Sequence, residues 1–440
     1  MSIYKECDIR GIYPSELGEN DAYNIGRAVG AMMPGAVLAV GGDVRLSTPV
    51  LKERLIAGLR DSGANILDIG MVPTPAFYFS LGHLKTDGGL MVTASHNPAK
   101  YNGFKLMFNN TPVTPEIIQR IKESAEAGKF PSGKGSCETV GITQDYENSV
   151  KKAFTPARSL KVVLDCCNGA TGKLAPDLFK AMGHDVVPLY CEFDGSFPNR
   201  DPNPAVYENL TDLKSKVLET GADFGAAFDG DGDRVVFVDD LGRVINSERS
   251  FVLFINEYLK HQPSSVVYDI KSSSVVRDAA LELGGKPIME RSGHAFIKRT
   301  FLENRSALAG EISGHFFFGE LGYDDGIYAA LKMAEIAAKS SEKLSAAVDR
   351  IPKTIITPDI RIKCSYDVRD EWLGRVSKAG ESYDILLIDG VRIEFPYGWL
   401  LVRKSVTEES ITLRIEAKNE ASLQKIKEWT LKILPEIQTL

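Results

Sequence analysis

Hydrophobic positions along the chain follow a repeated rhythm. Short unbroken apolar runs alternate with stretches whose apolar residues recur every three to four positions. The runs at 36–40, 65–69 and 90–92 predict buried strands, and the stretches at 48–61 and 74–84 predict helices packed on them. A further strand is expected at 101–107 and a helix at 115–128, after which 130–138, rich in Pro, Gly, Ser and Lys, reads as a surface loop. The rhythm restarts at 160, with strands at 161–164, 185–189 and 224–228 and helices at 172–182 and 209–219. A third cycle starts near 264, with strands at 265–270 and 286–289 and helices at 273–283, 294–301, 325–338 and 341–348. From 354 the pattern changes to strands at 354–363, 392–395, 399–402 and 411–416, with helices at 368–378 and 421–434.

Strands alternating with helices predict sheets with helices on their faces, whereas a run of strands with packing helices predicts α+β. The expected fold is therefore α/β: three tandem α/β domains with mixed, largely parallel sheets at 1–155, 156–257 and 258–352, followed by a smaller C-terminal α+β domain at 353–440. No residue identity between the three units marks them as duplicates. In such sheets ligand loops sit at the carboxyl ends of strands.

Composition narrows the function. The 440 residues carry a net charge of −7, so there is no overall basic field for nucleic acid, and a phosphorylated substrate would need a local cationic cleft. The six cysteines (7, 137, 166, 167, 191 and 364) show no C-x-x-C and no metal-type spacing, which fits a reducing compartment. The first residues, Met1-Ser2-Ile3-Tyr4-Lys5-Glu6, lack the basic start and apolar block of a signal peptide. No apolar run approaches the ~20 residues of a membrane span. A cytoplasmic protein that binds neither membrane nor nucleic acid is expected, as monomer or dimer.

Two stretches carry the chemistry. The run Gly88-Gly89-Leu90-Met91-Val92 stops at Thr93-Ala94-Ser95-His96-Asn97-Pro98, where the proline ends the regular backbone. Serine can carry a phosphoryl group where cations and a metal neutralise the charge; a polar turn capped by His96 and Asn97 is the alternative. The second stretch, Asp229-Gly230-Asp231-Gly232-Asp233-Arg234, follows another apolar run. Three carboxylates at alternate positions of a tight loop can converge on a small cation such as Mg²⁺. A calcium EF-hand would need Gly and Glu where Arg234 and Asp240 stand, and a solvated acidic turn would pay for the repulsion.

Weaker signals surround them. Lys105 is close enough in chain to Ser95 to serve as acid/base or phosphate contact, or to be a snorkelling strand lysine. Glu311-Ile312-Ser313-Gly314-His315 offers a carboxylate and a hydroxyl to vicinal sugar hydroxyls, or is an ordinary polar turn. Arg403-Lys404-Ser405-Val406-Thr407, with Arg414 beyond, combines guanidinium and hydroxyl donors suited to a dianion, or forms a solvated hairpin. Arg10 alone reads as a surface residue.

Together these stretches closely resemble the α-D-phosphohexomutase family, from Asp8-Ile9-Arg10-Gly11 to Leu413-Arg414-Ile415-Glu416-Ala417. The resemblance makes the Ser95 stretch the phosphoserine loop of the first domain and the Asp229 stretch the metal loop of the second. It makes Glu311–315 the sugar-binding loop of the third and 403–407 the distal phosphate loop of the fourth, all four around one central cleft. Lys271 and the Gly293-His294 pair sit where members place further substrate contacts. The implied reaction is reversible phosphoryl transfer between the 1- and 6-positions of a hexose phosphate, an isomerase activity. It runs through phosphorylated Ser95 and a hexose 1,6-bisphosphate, with Mg²⁺ held by Ser95, Asp229, Asp231 and Asp233. Beside this, Lys105 is the first candidate for proton transfer at the sugar hydroxyl and His294 the second, with His96 and Arg234 next to the reacting group. Arg10, Lys271, Glu311, Ser313, His315, Arg403, Ser405, Thr407 and Arg414 would bind substrate.

Glu-Ile-Ser-Gly-His is nearest the form in members acting on mannose and glucose phosphates; glucosamine phosphate is the alternative. Members often carry Asn at Val406, Pro at Glu409 and an aromatic residue at Cys7. A phosphosugar-binding protein without turnover and a Mg²⁺-dependent phosphatase are the rival readings.

Overall fold

The computed structural model describes residues 2–155, 158–405 and 409–437. The first sheet is built from β1 (Ile9–Ile12), β2 (Val37–Gly42), β3 (Asn65–Met71), β4 (Gly88–Val92), β5 (Tyr101–Phe108), β6 (Thr111–Pro112) and β7 (Cys137–Thr139). The second contains β8 (Lys161–Asp165), β9 (Asp185–Leu189), β10 (Phe224–Phe228), β11 (Val235–Asp239) and β12 (Val244–Ile245). The third contains β13 (Ser265–Asp269), β14 (Lys286–Glu290), β15 (Leu308–Gly310), β16 (Phe316–Phe318) and β17 (Tyr323–Asp324). The fourth contains β18 (Ile355–Ile356), β19 (Ile360–Lys363), β20 (Asp384–Leu386), β21 (Val391–Phe395), β22 (Gly398–Lys404) and β23 (Ser410–Ala417).

The first three sheets share one strand order. In the second it is β9-β8-β10-β11-β12 and in the third β14-β13-β15-β16-β17, while the first contains β3-β2-β4-β5-β1. In each, the three leading strands pair in parallel and the next two antiparallel. A repeat that residue identity does not reveal is therefore present in the topology. In each sheet the motif-bearing loop is the turn from the third strand into its antiparallel neighbour: β4 to β5, β10 to β11, β15 to β16. The strands feeding these loops, Gly88–Val92 and Phe224–Phe228, are buried at every position, so the chain can only surface at their ends.

The fourth sheet is antiparallel throughout. The single strand expected at 354–363 is broken into β18 and β19, because Pro358 offers no N–H to the ladder. The surface loop expected at 130–138 ends differently too: Cys137–Thr139 pairs in parallel with β3 as a short, fully exposed edge. Its polar sequence carries no strand pattern. The third and fourth domains are pinned by the buried carboxylate of Glu416, which accepts from Trp399 Nε1, Ser273 Oγ (2.8 Å) and Ser274 N (2.8 Å). Among the described residues no helix is long and apolar enough to cross a membrane.

Candidate active site

The three equivalent loops converge. Ser95, at the end of β4, donates its hydroxyl to Asp229 Oδ2 at 2.6 Å, joining residues 134 positions apart. The two backbones are so close that a Cβ on Gly230 would meet the Ser95 carbonyl at 2.7 Å. The third loop docks on the second through an antiparallel bridge between Arg234 and His315, with Val235 N donating to Gly314 O at 3.0 Å.

The serine loop is held from below by a residue the motifs do not contain. Arg45, fully buried, donates to the carbonyls of Ser95 (2.8 Å), Asn97 (2.6 Å), Pro98 (2.9 Å) and Tyr101 (3.0 Å), and to Asp43 Oδ2 (3.1 Å). Asp43 also accepts from Thr48 and Thr93, and Thr93 Oγ1 in turn receives the Ser95 N–H at 2.9 Å. This scaffold fixes Ser95 at φ 49°, a left-handed backbone that a serine adopts only when its surroundings over-determine it.

The acidic loop is a concentration of buried charge. Ligand oxygens of Asp229, Asp231 and Asp233 lie within 4.8 Å of one another, and all three residues are fully buried. Burial, then Asp231 and Asp233, raises the Asp229 pKa well above the carboxylate range. Lys105, from β5, answers part of this charge, with Nζ 2.7 Å from Asp231 Oδ2 and in contact with Asp233 Oδ2. Burial alone would lower its pKa, but Asp231, Asp233 and Asp229 outweigh it and hold it above the usual lysine range. A lysine acting as proton acceptor needs a shift in the other direction. Asp231 Oδ1 is buried without a hydrogen-bond partner, so the loop has an oxygen to spare. Three convergent carboxylates, one with an uncommitted oxygen, fit a hard divalent cation.

Around this centre lies a cavity of about 310 Å³ lined by Arg10, His96, Lys105, Arg234, His294 and His315, among others. Arg10 donates to Asn97 Oδ1 at 2.6 Å and to Asp8 at 2.7 Å. His96 Nδ1 is 3.3 Å from Ser95 Oγ; burial, then Arg234 and Arg10, push its pKa far down, leaving a neutral ring. His315 lies between Glu311 Oε2 (2.6 Å) and Asp233 Oδ1 (3.3 Å). Burial opposes its charge, but these two carboxylates prevail and raise its pKa to about 10. Ser313 Oγ donates to Glu311 at 3.0 Å, so the third loop arrives as one bonded unit. His294, at the start of the helix His294–Glu303, sits 2.8 Å from Asp324 Oδ1 and stacks on Tyr78.

The fourth domain's residues are not among those lining this cavity. Arg414 lies 3.6 Å from both Glu248 and Asp359, Lys271 from the third domain is 2.6 Å from Asp359, and Arg403 is 2.5 Å from Asp389. The Arg369 guanidinium donates to the Ser405 carbonyl at 2.9 Å. Val406 and Thr407 lie outside the described residues. Sequence reasoning missed Arg45, Asp43, Asp324 and Lys298. All four are buried polar residues whose spacing carries no motif, and the only signal was charge placed beside an apolar strand or helix.

Comparison with known proteins adds an independent line. Three family models match in succession: phosphoglucomutase/phosphomannomutase alpha/beta/alpha domain I over residues 1–132, domain II over 143–242 and domain III over 246–355. A phosphomannomutase/phosphoglucomutase of Pseudomonas syringae pv. tomato is 41% identical over 434 residues, covering 97% of this chain and 93% of the relative. A phosphoglucomutase of Neisseria gonorrhoeae is 37% identical over 438 residues, covering 97% and 95%. The crystal structure of a phosphoglucomutase/phosphomannomutase family protein from Burkholderia thailandensis superposes with a TM-score of 0.92 at 35% identity, covering 100% of this chain and 98% of that one.

Proposed function

The chain belongs to the phosphoglucomutase/phosphomannomutase family, and from that premise we propose how its own residues move phosphate between the 1- and 6-positions of a hexose. It is a mutase, and mannose and glucose phosphates are the substrates its relatives' names support. The observation that carries the residue assignments is the 2.6 Å contact of Ser95 with Asp229 across two domains. We assign Ser95 as the phosphoryl carrier, its hydroxyl already aimed into the acidic loop.

Asp229, Asp231, Asp233 and the Ser95 phosphate would hold Mg²⁺, which supplies Lewis acidity and charge neutralisation to phosphoryl transfer when bound. Lys105 stays charged and, with Arg234 and Arg10, neutralises the transferring group. Neutral His96 packs beside the serine without adding charge. His294, oriented by Asp324, takes the proton from the attacking sugar hydroxyl and returns it on the reverse transfer. Glu311 and Ser313, backed by His315, hold ring hydroxyls in either orientation. Lys271, Arg403, Ser405 and Arg414, with Thr407, grip the phosphate that is not reacting, so remote binding energy orients the sugar. A hexose 1,6-bisphosphate is the intermediate and the activator that charges Ser95.

The four sheets support a four-domain partition at about 1–155, 156–246, 247–352 and 353–440. The second boundary is drawn before the helix Ser247–Leu259 because Phe254 packs edge-on against Phe316 of the third sheet at 5.0 Å. Six free cysteines are in keeping with a cytoplasmic setting.

Intact-protein mass spectrometry before and after incubation with a hexose 1,6-bisphosphate tests the assignment. A gain of one phosphate mapped to Ser95, absent in Ser95→Ala, is expected. A coupled assay should turn over mannose and glucose 1-phosphates and leave glucosamine 1-phosphate far behind. No phosphate on Ser95, or stoichiometric release of free phosphate, would overturn it.

A further inference from the structure

The cations assigned to the distal phosphate are paired with carboxylates of the protein, and one carboxylate stands out by its position. Asp359 lies in the break between β18 and β19, where the chain passes into the fourth domain. Its Oδ2 accepts from Lys271 Nζ at 2.6 Å, and its Oδ1 is 3.6 Å from Arg414 Nη1. Lys271 follows β13 in the third sheet, and Arg414 stands on β23 in the fourth. A single carboxylate thus bridges a cation from each of two domains.

The bridge is unsaturated. Asp359 Oδ1 and the Nε atoms of Arg414 and Arg403 are buried without hydrogen-bond partners. A phosphate dianion carries more charge and one more acceptor oxygen than a carboxylate, and it can satisfy donors that Asp359 leaves open. Burial would raise the Asp359 pKa, but Lys271, then Arg414 and Arg403, outweigh it and keep it below the usual carboxylate range.

We propose that Asp359 competes with the substrate's non-reacting phosphate for Lys271 and Arg414, acting as a positioning residue that makes entry into the distal site conditional on a dianion. A free sugar has nothing with which to displace the carboxylate. The same competition weakens the grip on the intermediate, which must let go of one phosphate to turn over; overly tight ground-state binding would slow the cycle. The inference rests on reading Lys271 and Arg414 as distal phosphate ligands.

Inorganic phosphate is the probe, used on the full chain by titration calorimetry and as a competitive inhibitor against mannose 1-phosphate. Asp359→Asn should bind phosphate about fivefold tighter and lower KM, with kcat falling, while Asp359→Glu stays near the parent; the modest factor reflects an ion pair whose side chains keep 16% and 30% of their surface exposed. A merely structural role predicts the opposite sign. Unchanged or weaker phosphate binding in a folded Asp359→Asn overturns the competition, and Asp359→Ser carries the same expectation should the amide variant not fold. Arg414→Gln separates the two layers. If it weakens phosphate binding while Asp359→Asn fails to tighten it, only the competition is wrong; if it leaves phosphate binding unchanged, the distal-site reading fails and the proposal with it.

Discussion

The serine loop and the acidic loop occupy the same turn of the same strand order, yet they are held by opposite charges. The backbone around Ser95 is gathered onto the Arg45 guanidinium, which satisfies four carbonyls and one carboxylate. The Asp229 loop is stitched by its own backbone, with Gly232 N and Arg234 N donating to Asp229 Oδ1, and is compensated from outside by Lys105. The turn proposed to carry phosphate is thus built over a buried cation, and the turn proposed to hold a metal is built of carboxylates. Because Lys105 belongs to the first sheet and Asp231 to the second, the acidic loop is not electrostatically complete without its neighbouring domain, whereas the cation under the serine loop comes from its own. Site geometry and domain docking are here one interaction.

The strongest way to break that comparison is to empty one side of it. Ser95→Ala should lower transfer by on the order of 10⁴-fold or more, as removing a carrier group does, with the fold retained in thermal denaturation. On the other side, Asp231→Asn keeps an acceptor for Thr74 and Thr93 but deletes a ligand charge. Metal affinity should fall by at least the roughly 10–100-fold typical of lesser changes near a metal, read by titration of the dialysed protein. Arg45→Met strikes the support and not the chemistry. It leaves Asp43 buried and uncompensated, so unfolding stability should drop by about 3–5 kcal/mol, with slower phosphorylation of Ser95. Arg45→Lys should restore little, since one ammonium cannot span five acceptors. If denaturation curves of Arg45→Met and parent coincide, the cation is not what holds the serine loop.

The asymmetry also explains what could be seen in the sequence. Ser95, the three aspartates and Glu311–His315 stand directly after buried strands, so strand pattern and chemistry coincide in one short window. Arg45 sits some fifty residues from the loop it supports, after a strand that carries no chemistry of its own. Elements were missed for similar reasons. The helix Glu19–Met32 contains Gly26 and Gly30, poor helix formers, which lie where a Cβ on Gly26 would meet Leu55 O at 2.3 Å; they are kept for close helix packing. The helix Ser247–Leu259 is buried on nearly all sides between two sheets and so shows no polar stripe. The serine-to-aspartate contact was inferable only through family resemblance, because nothing local links residues so far apart.

A third buried cation offers the finest test of the contrast. Arg45 has five acceptors and Lys105 has carboxylate partners, but Lys298 Nζ, 1% exposed, has no hydrogen-bond partner; it lies 3.6 Å over the Tyr78 ring and 3.9 Å from Asp324. Burial lowers its pKa from 10.5 to about 8, with Asp324 working against the shift. The sign follows from linkage. Below pH 8 both folded and unfolded chains hold the proton, and the cost of burying it is fully present. Between pH 8 and 10.5 the unfolded chain keeps a proton that the folded chain has lost, so stability rises with pH. Above that window both are neutral and the gain levels off. Lys298→Met removes the titration, so the stability difference between parent and variant should be flat from pH 6 to 8 and then shift in the parent's favour by up to about 3 kcal/mol by pH 10.5. Urea unfolding of both proteins at each pH provides the measurement. Parallel curves across the window would mean that Tyr78 and Asp324 hold the ammonium as securely as the five acceptors hold Arg45, and that in this site the number of hydrogen-bond partners does not decide whether a buried cation keeps its charge.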